Sequence, residues 1–382
     1  MRRAYLDHAS TTSTRPEALA ALHHWASLPA ADPGRLHEEG RVVRDALEES
    51  RHQVAALVGV TPREIVFTSG ATEAINAAVW GATRRQPGAP ILCAEVEHSS
   101  VRDASMRAAP VETIPVDGNG RIRLDVLEAR LKSTSLPVPG LVHCQWANHE
   151  VGTLQPVHHV VDLCRAAGVV VHVDAAAACG HVAIDVTALG ADLVSLSAHK
   201  FGGLPGAGAL VIRRGSRFEP FIVGGEQERA RRAGLEALPA LLAFGAAAAA
   251  LAADDQLILR TEGETARRQI QAVAAGACAI EGVEVVGPSA AKDRLPHLIC
   301  LGVQGVEAEP VLIGLDRSGV AVHSGSACSS ESIEPSPVLQ AMGVDPSHSL
   351  RVSVGWMTTD DDIAVFGQTF TDVVAGLRAL RG

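Results

Sequence analysis

Several things are scarce in this 382-residue chain, and each scarcity excludes a class of protein. No stretch reaches the roughly 18 uninterrupted apolar residues that a membrane-spanning helix needs, and no apolar segment follows the arginine pair of "MRRAYLDHAS" as a secretory leader would require. The expectation is a cytoplasmic chain that engages no membrane. Cysteine pairs are also missing. The seven cysteines, at 93, 144, 164, 179, 278, 300 and 328, are odd in number, widely spaced and never arranged C-x-x-C. That argues against a disulfide framework or a zinc ribbon and fits a reducing compartment. Positive charge is in deficit: a net charge of −10 gives no broad attraction to nucleic acid or anionic lipid, and "RARR" (229–232) is the one dense basic cluster. Internal repeats and low-complexity linkers are absent as well.

What the chain does have is the composition of a packed protein, 47% hydrophobic and 20% charged. Apolar, β-branched segments at 64–69, 90–95, 141–148, 169–176, 193–200 and 208–214 alternate with helical patterns such as 72–84, 156–167 and 236–253. Strands at this cadence predict an α/β fold with a mostly parallel, mixed sheet covered on both faces. The alanine-rich stretch 244–255 is a strong helix former by propensity. Beyond it, a helical pattern over 262–280, short strands at 297–303 and 350–355 and a terminal helix predict a smaller α+β domain. The expected division is a large domain over 13–255 and a small one built from 1–12 and 256–382.

The first sign of chemistry is Lys200, which ends an apolar strand in "SLSAHKFGG". Most strand-end lysines are simply solvated. Asp174, however, closes the preceding buried strand one crossover earlier, and the carboxyl ends of neighbouring parallel strands border the crevice where open α/β sheets bind ligands. A lysine for a Schiff base and a carboxylate for a pyridine nitrogen are the two groups that pyridoxal phosphate requires. In "FTSGATEAINAAV" a strand turns through Gly70 into a helix at Ala71 and Thr72, so that N–H groups, the positive helix end and a hydroxyl face an anion. Ordinary helix capping explains this stretch taken alone. Ser197 and His199 stand beside Lys200 within reach of the same phosphate. His98, a plain loop histidine by itself, is placed to stack on a ring.

Together these stretches resemble the cysteine desulfurases of the aminotransferase class V family. The chain is similar to their NifS/IscS-type branch through "YLDHASTT", "TSGATEAINAA", "EHSSV", "NHEVGTLQPV", "HVDAAAACGHVAIDV", "SAHKFGGLPGAGAL", "GGEQERARRAG", "HSGSACSS" and "LRVSVGWMTTDDDI", in that order along nearly its whole length. The resemblance implies fold type I and a homodimer with pyridoxal 5'-phosphate near the subunit boundary. It also implies conversion of L-cysteine to L-alanine, with the sulfur kept as a persulfide for an acceptor protein. By the same resemblance, Lys200 carries the cofactor and moves protons at the substrate, Asp174 pairs with the ring nitrogen, and His98 stacks and handles the thiol proton. Ala71, Thr72, Ser197 and His199 hold the phosphate, Arg351 grips the substrate carboxylate through paired charge-assisted bonds, and Asn148 supports substrate or cofactor.

Three positions depart from the family pattern. His149 stands where a second asparagine is usual, Ala177 where a glutamine reaches the cofactor's phenolic oxygen, and Leu235 where a threonine reaches the partner's phosphate. His149 is the candidate to compensate for Ala177. Cys328, in "HSGSACSSESIEPSP" (323–337), has almost no apolar neighbour to bury it, and its glycine, serines and prolines favour a loop. A mobile thiol there suits attack on the substrate sulfur, helped by His323 or by the cofactor. The family's uses for such a persulfide include iron–sulfur assembly, tRNA thiolation and sulfur modification of DNA. Two other readings are a different class V enzyme, an aminotransferase or a selenocysteine lyase, and a cofactor-poor scaffold for a sulfur acceptor.

Overall fold

The computed structural model describes residues 3–29, 31–324 and 335–380. After a two-residue strand, β1 (Ala4–Tyr5), the chain builds its main sheet from β2 (Ile65–Thr68), β3 (Ile91–Ala94), β4 (Val111–Ile114), β5 (Leu141–Gln145), β6 (Val170–Asp174), β7 (Leu193–Ser197) and β8 (Gly208–Ile212). The order across the sheet is β2-β8-β7-β6-β5-β3-β4. β8 runs antiparallel to both neighbours, and the other pairings are parallel.

Alternate residues of these strands feed two apolar layers, as the two-residue period of a strand requires. Phe67, Leu92, Val142, Val173 and Leu196 join the larger cluster on one face. Val66, Ile91, Leu141, Leu193 and Leu210 meet Ala74, Ile75 and Ala78 of the helix Ala71–Thr83 on the other. Asp174 lies an even number of residues from Val170 and so belongs to the helix-covered face, at the carboxyl end of its strand. The sheet thereby places the start of that helix and the ends of β6 and β7 around one crevice.

A second sheet, antiparallel in the order β12-β10-β9, is formed by β9 (Val283–Val286), β10 (Leu298–Val303) and β12 (Ser349–Ser353), while β11 (Val320–Ala321) pairs in parallel with β1. Its apolar cluster includes Leu6, Ile299, Leu301, Leu315, Val352, Phe366 and Phe370. The helix Leu238–Cys278 runs from the first core to the second, broken at 253–256, where Asp254, Asp255 and Gln256 take positive φ. By length and composition it is long and apolar enough to cross a membrane, but Leu241, Leu242, Phe244 and Leu251 are buried in the core of the fold.

The structure adds to the sequence-based outline in three places. β4 and β9 are strands that the hydrophobic pattern does not mark, because a glutamate interrupts each of "VETI" and "VEVV" and both are only partly buried. The helical patterns over 236–253 and 262–280 form a single broken helix. The basic cluster is engaged within the chain: Arg229 pairs with Glu48, Arg232 with Glu73, and Arg231 donates to the Arg63 carbonyl.

Candidate active site

The crevice is a cavity of about 620 Å³. Lys200 and Asp174 both line it, together with Ala71, Thr72, His98, His149, Ala177, Ser197, His199 and Arg351. Lys200, Asp174 and Ser197 come from strand ends, Ala71, Thr72 and His98 from helix starts, His149 and Ala177 from turns, and Arg351 from the middle of β12. Lys200 closes the short turn Ala198–Lys200 after β7, and its Nζ donates to the Ala9 carbonyl at 2.5 Å. Asp174 ends β6. Its Oδ1 accepts from Ser195 Oγ at 2.9 Å and from the Ala176 N–H at 3.0 Å, which fixes the carboxylate at the cavity wall.

At the other end of the cavity the helix Ala71–Thr83 presents its first turn, whose leading N–H groups have no intrahelical partner. Glu73 turns back to accept from the Ser69 N–H at 2.9 Å and is itself held by Arg232. Glu73 thus closes the turn before the helix, and the N-cap, Gly70, has no side chain to cap the first N–H groups. His199 contacts Thr11 Oγ1 at 3.3 Å, and burial, helped by the Lys200 charge, lowers its pKa to about 4. Its imidazole is neutral at physiological pH and offers a dipolar N–H.

His98 caps the helix Ser99–Ala108, its Nδ1 accepting from the Ser100 N–H at 3.1 Å. That bond leaves the proton of the neutral ring on Nε2. His149 packs edge-on against His98, with ring centroids 5.0 Å apart. Arg351, on β12, brings a guanidinium that is 3% exposed to the cavity wall. Its Nη1 donates to the His149 carbonyl at 3.0 Å and its Nη2 to Asp7 Oδ1 at 2.8 Å.

Not every expected site residue reaches the cavity. Asn148 is fully buried beside it: its Nδ2 donates to the Val96 carbonyl and its Oδ1 accepts from the Glu150 and Val151 N–H groups. Its amide builds the turn that presents His149, which replaces the ligand-contact expectation with a structural one. Leu235 is 63% exposed. Cys328 lies outside the described residues. His323, at the start of its segment, pairs backbone to backbone with Arg351.

Sequence reasoning missed three contributors. Ala9, Ser10 and Thr11 line the cavity from the N-terminal segment, and Gln145 does so from the end of β5. Glu97 lies beneath, 1% exposed, with Oε1 accepting the Gln145 N–H at 2.6 Å and Oε2 without a partner among the described residues. Burial first, and the Asp174 charge second, push its pKa up to about 8. Glu97 therefore keeps its proton at neutral pH beside Asp174. A glutamate one residue before His98 was visible in "VEHSS", but nothing in the sequence marks it as buried.

The residues present fit a phosphorylated pyridine aldehyde. An amine, a fixed carboxylate and an anion-facing helix start surround one cavity, whose volume is in the range usual for small-molecule and cofactor sites.

Comparison with known proteins gives the same outline. The family model described as Aminotransferase class-V matches residues 4–366. A cysteine desulfurase of Cereibacter sphaeroides is 36% identical over 390 residues, covering 100% of this chain and 98% of the relative. Among solved structures, a NifS-like protein from Rickettsia africae aligns with a TM-score of 0.88 at 27% identity, covering 98% of this chain and 100% of its own. A structure described as SspA in complex with cysteine aligns with a TM-score of 0.78 at 25% identity, covering 92% and 98%.

Proposed function

Because the chain belongs to the aminotransferase class V family, we propose that the cavity desulfurates L-cysteine, giving L-alanine and a sulfur atom held on the protein. The observation that carries this reading is that Lys200, Asp174, His98 and Arg351 line one cavity. Pyridoxal 5'-phosphate bound there supplies an electron-accepting ring that acidifies the substrate Cα–H bond and weakens the Cβ–S bond.

The chain's own groups do the rest. Lys200 holds the cofactor covalently and moves the proton at the substrate Cα. Asp174, fixed by Ser195 Oγ and the Ala176 N–H, pairs with the ring nitrogen and keeps it protonated. The helix start at Ala71 and Thr72, with Ser197 and neutral His199, holds the phosphate. His149 lines the cavity with Ala177 and supplies the polar contact that an alanine lacks. Arg351 binds the substrate carboxylate, which orients the Cα–H bond. His98 moves the proton of the substrate thiol. Cys328 Sγ bonds to the substrate sulfur as the Cβ–S bond breaks, and the electron pair left on carbon takes a proton to complete alanine. The persulfide then passes to a thiol of an acceptor protein.

The protein acts as a homodimer in this reading. Val223 and Leu235 are 73% and 63% exposed, on segments joined by the Ala233 N–H to the Ile222 carbonyl, and suit a face covered by a second copy. The test is a Cys328→Ala variant of the cofactor-loaded protein given L-cysteine. Loss of protein-bound sulfur together with catalytic alanine formation is expected. Unimpaired turnover would instead point to a class V enzyme that does not use this thiol.

A further inference from the structure

Arg351 is held by groups of the chain itself. Its guanidinium is 3% exposed, Nη2 is paired with Asp7 Oδ1 at 2.8 Å, and Nη1 is bonded to the His149 carbonyl at 3.0 Å. The Nε donor is buried and has no partner among the described residues. Arg351 lines the 620 Å³ cavity, whereas Asp7 is not among the residues that line it, so the carboxylate holds the cation from outside the cavity. Backbone pairing fixes this arrangement. Asp7 bridges Ser353, two residues beyond Arg351, the Ser353 N–H donates to the Leu6 carbonyl at 2.8 Å, and the Leu6 N–H donates to the Ala321 carbonyl at 2.8 Å. The Tyr5 hydroxyl donates to the Asp7 and Thr11 carbonyls, pinning the same segment from its other side.

A buried guanidinium needs a counter-charge, because an uncompensated charge away from water is costly. Asp7 supplies it. A substrate carboxylate arriving from the cavity therefore meets a cation that is already neutralised, with a second carboxylate close behind it. We infer that Asp7 is the resident counter-ion of Arg351 and sets how tightly the site takes the carboxylate of an amino acid. The inference rests on the proposed role of Arg351. It predicts that Asp7 weakens carboxylate binding in exchange for a stable, aimed arginine when the site is empty. Asp7 is thus a positioning and affinity-setting residue that does not touch the reacting atoms.

The test uses holoenzyme and reads ligand binding from the absorbance change of the bound cofactor. L-alanine is compared with ethylamine, the same amine without a carboxylate. Asp7→Asn keeps an oxygen acceptor and removes the charge, and it is expected to bind L-alanine on the order of tenfold more tightly with ethylamine affinity unchanged. Asp7→Glu, which keeps the charge, should stay near wild type. Should the asparagine variant not accumulate folded, Asp7→Ser serves the same comparison. Unchanged or weaker L-alanine binding in the charge-removed variant, or an equal gain for ethylamine, overturns the inference. The proposed function fails separately, if wild-type holoenzyme responds to neither L-alanine nor L-cysteine.

Discussion

Two carboxyl groups at the end of the sheet have different surroundings. Asp174 accepts two hydrogen bonds at the cavity wall, whereas Glu97 is fully buried beside it, with one oxygen that has no partner among the described residues. The pKa of Glu97 is raised from 4.5 to about 8, so the unfolded chain releases a proton that the native state keeps. Its stabilising effect is complete below pH 4.5 and is lost as pH rises through 8. Glu97→Gln mimics the protonated acid and should match wild type in urea unfolding at pH 5, yet exceed it by roughly 2–4 kcal/mol at pH 9. Equal stability at both pH values would show that Glu97 ionises freely. At this scale the sequence pointed to Lys200, Asp174 and His98 because strand ends and helix starts are readable from local pattern, whereas Arg351, in the middle of β12, was named only from the family resemblance; all four line one cavity. The sequence did not reveal Glu97, the Asp7 pairing or the turn-building role of Asn148, since burial and contacts between residues 344 positions apart arise only on folding.

At the scale of elements, the cavity depends on how closely β8 approaches the start of the helix Ala71–Thr83. A Cβ added at Gly208 would lie 2.6 Å from the backbone of Gly70 and 2.7 Å from the Leu196 carbonyl, with no flexible side chain to give way. Gly208→Ala should therefore push the helix start off the sheet, costing roughly 1–3 kcal/mol and weakening retention of the phosphorylated cofactor in equilibrium dialysis. Unchanged retention would mean that the helix start does not hold the phosphate. β2, the strand that leads into this helix, is braced by a buried pair, Arg51 with Glu228, in which Glu228 also accepts from the Phe67 N–H. Arg51→Ala leaves that carboxylate buried and unpaired, and about 3–5 kcal/mol of stability should disappear in denaturant unfolding. The continuous apolar strands and the helix Ala71–Thr83 were legible from period and length. β4 and β9 were not, because a glutamate interrupts each short apolar run and both are only partly buried, unlike the equally short but fully buried β2 and β3.

Across the whole molecule, neutral buried imidazoles are the unusual feature. Burial lowers the pKa values of His8, His143, His172, His181, His199 and His297 below 6.5. Below pH 6.5 the unfolded chain takes up protons at these sites that the native state refuses, so their contribution is present above 6.5 and lost as pH falls toward 4. Urea midpoints should fall steadily between pH 7 and pH 5, whereas a flat profile would mean that these rings are solvated. The change of pattern after the alanine-rich helix was legible, but the sharing of residues between the cores was not: Val286, Leu298 and Leu339, from beyond residue 255, join the first core. Nor was the histidine content of the interior, because a histidine in a sequence does not declare whether it is buried. The central claim is that one cavity combines a cofactor-bearing lysine with a carboxylate and an arginine to desulfurate cysteine, and it is tested most directly by a single turnover of purified protein loaded with pyridoxal phosphate. With L-cysteine, one alanine and one protein-bound sulfur should form per cofactor, and Lys200→Ala should lose both the visible absorbance and the alanine. Alanine formation that survives in Lys200→Ala, or none in the loaded wild type, would contradict the account.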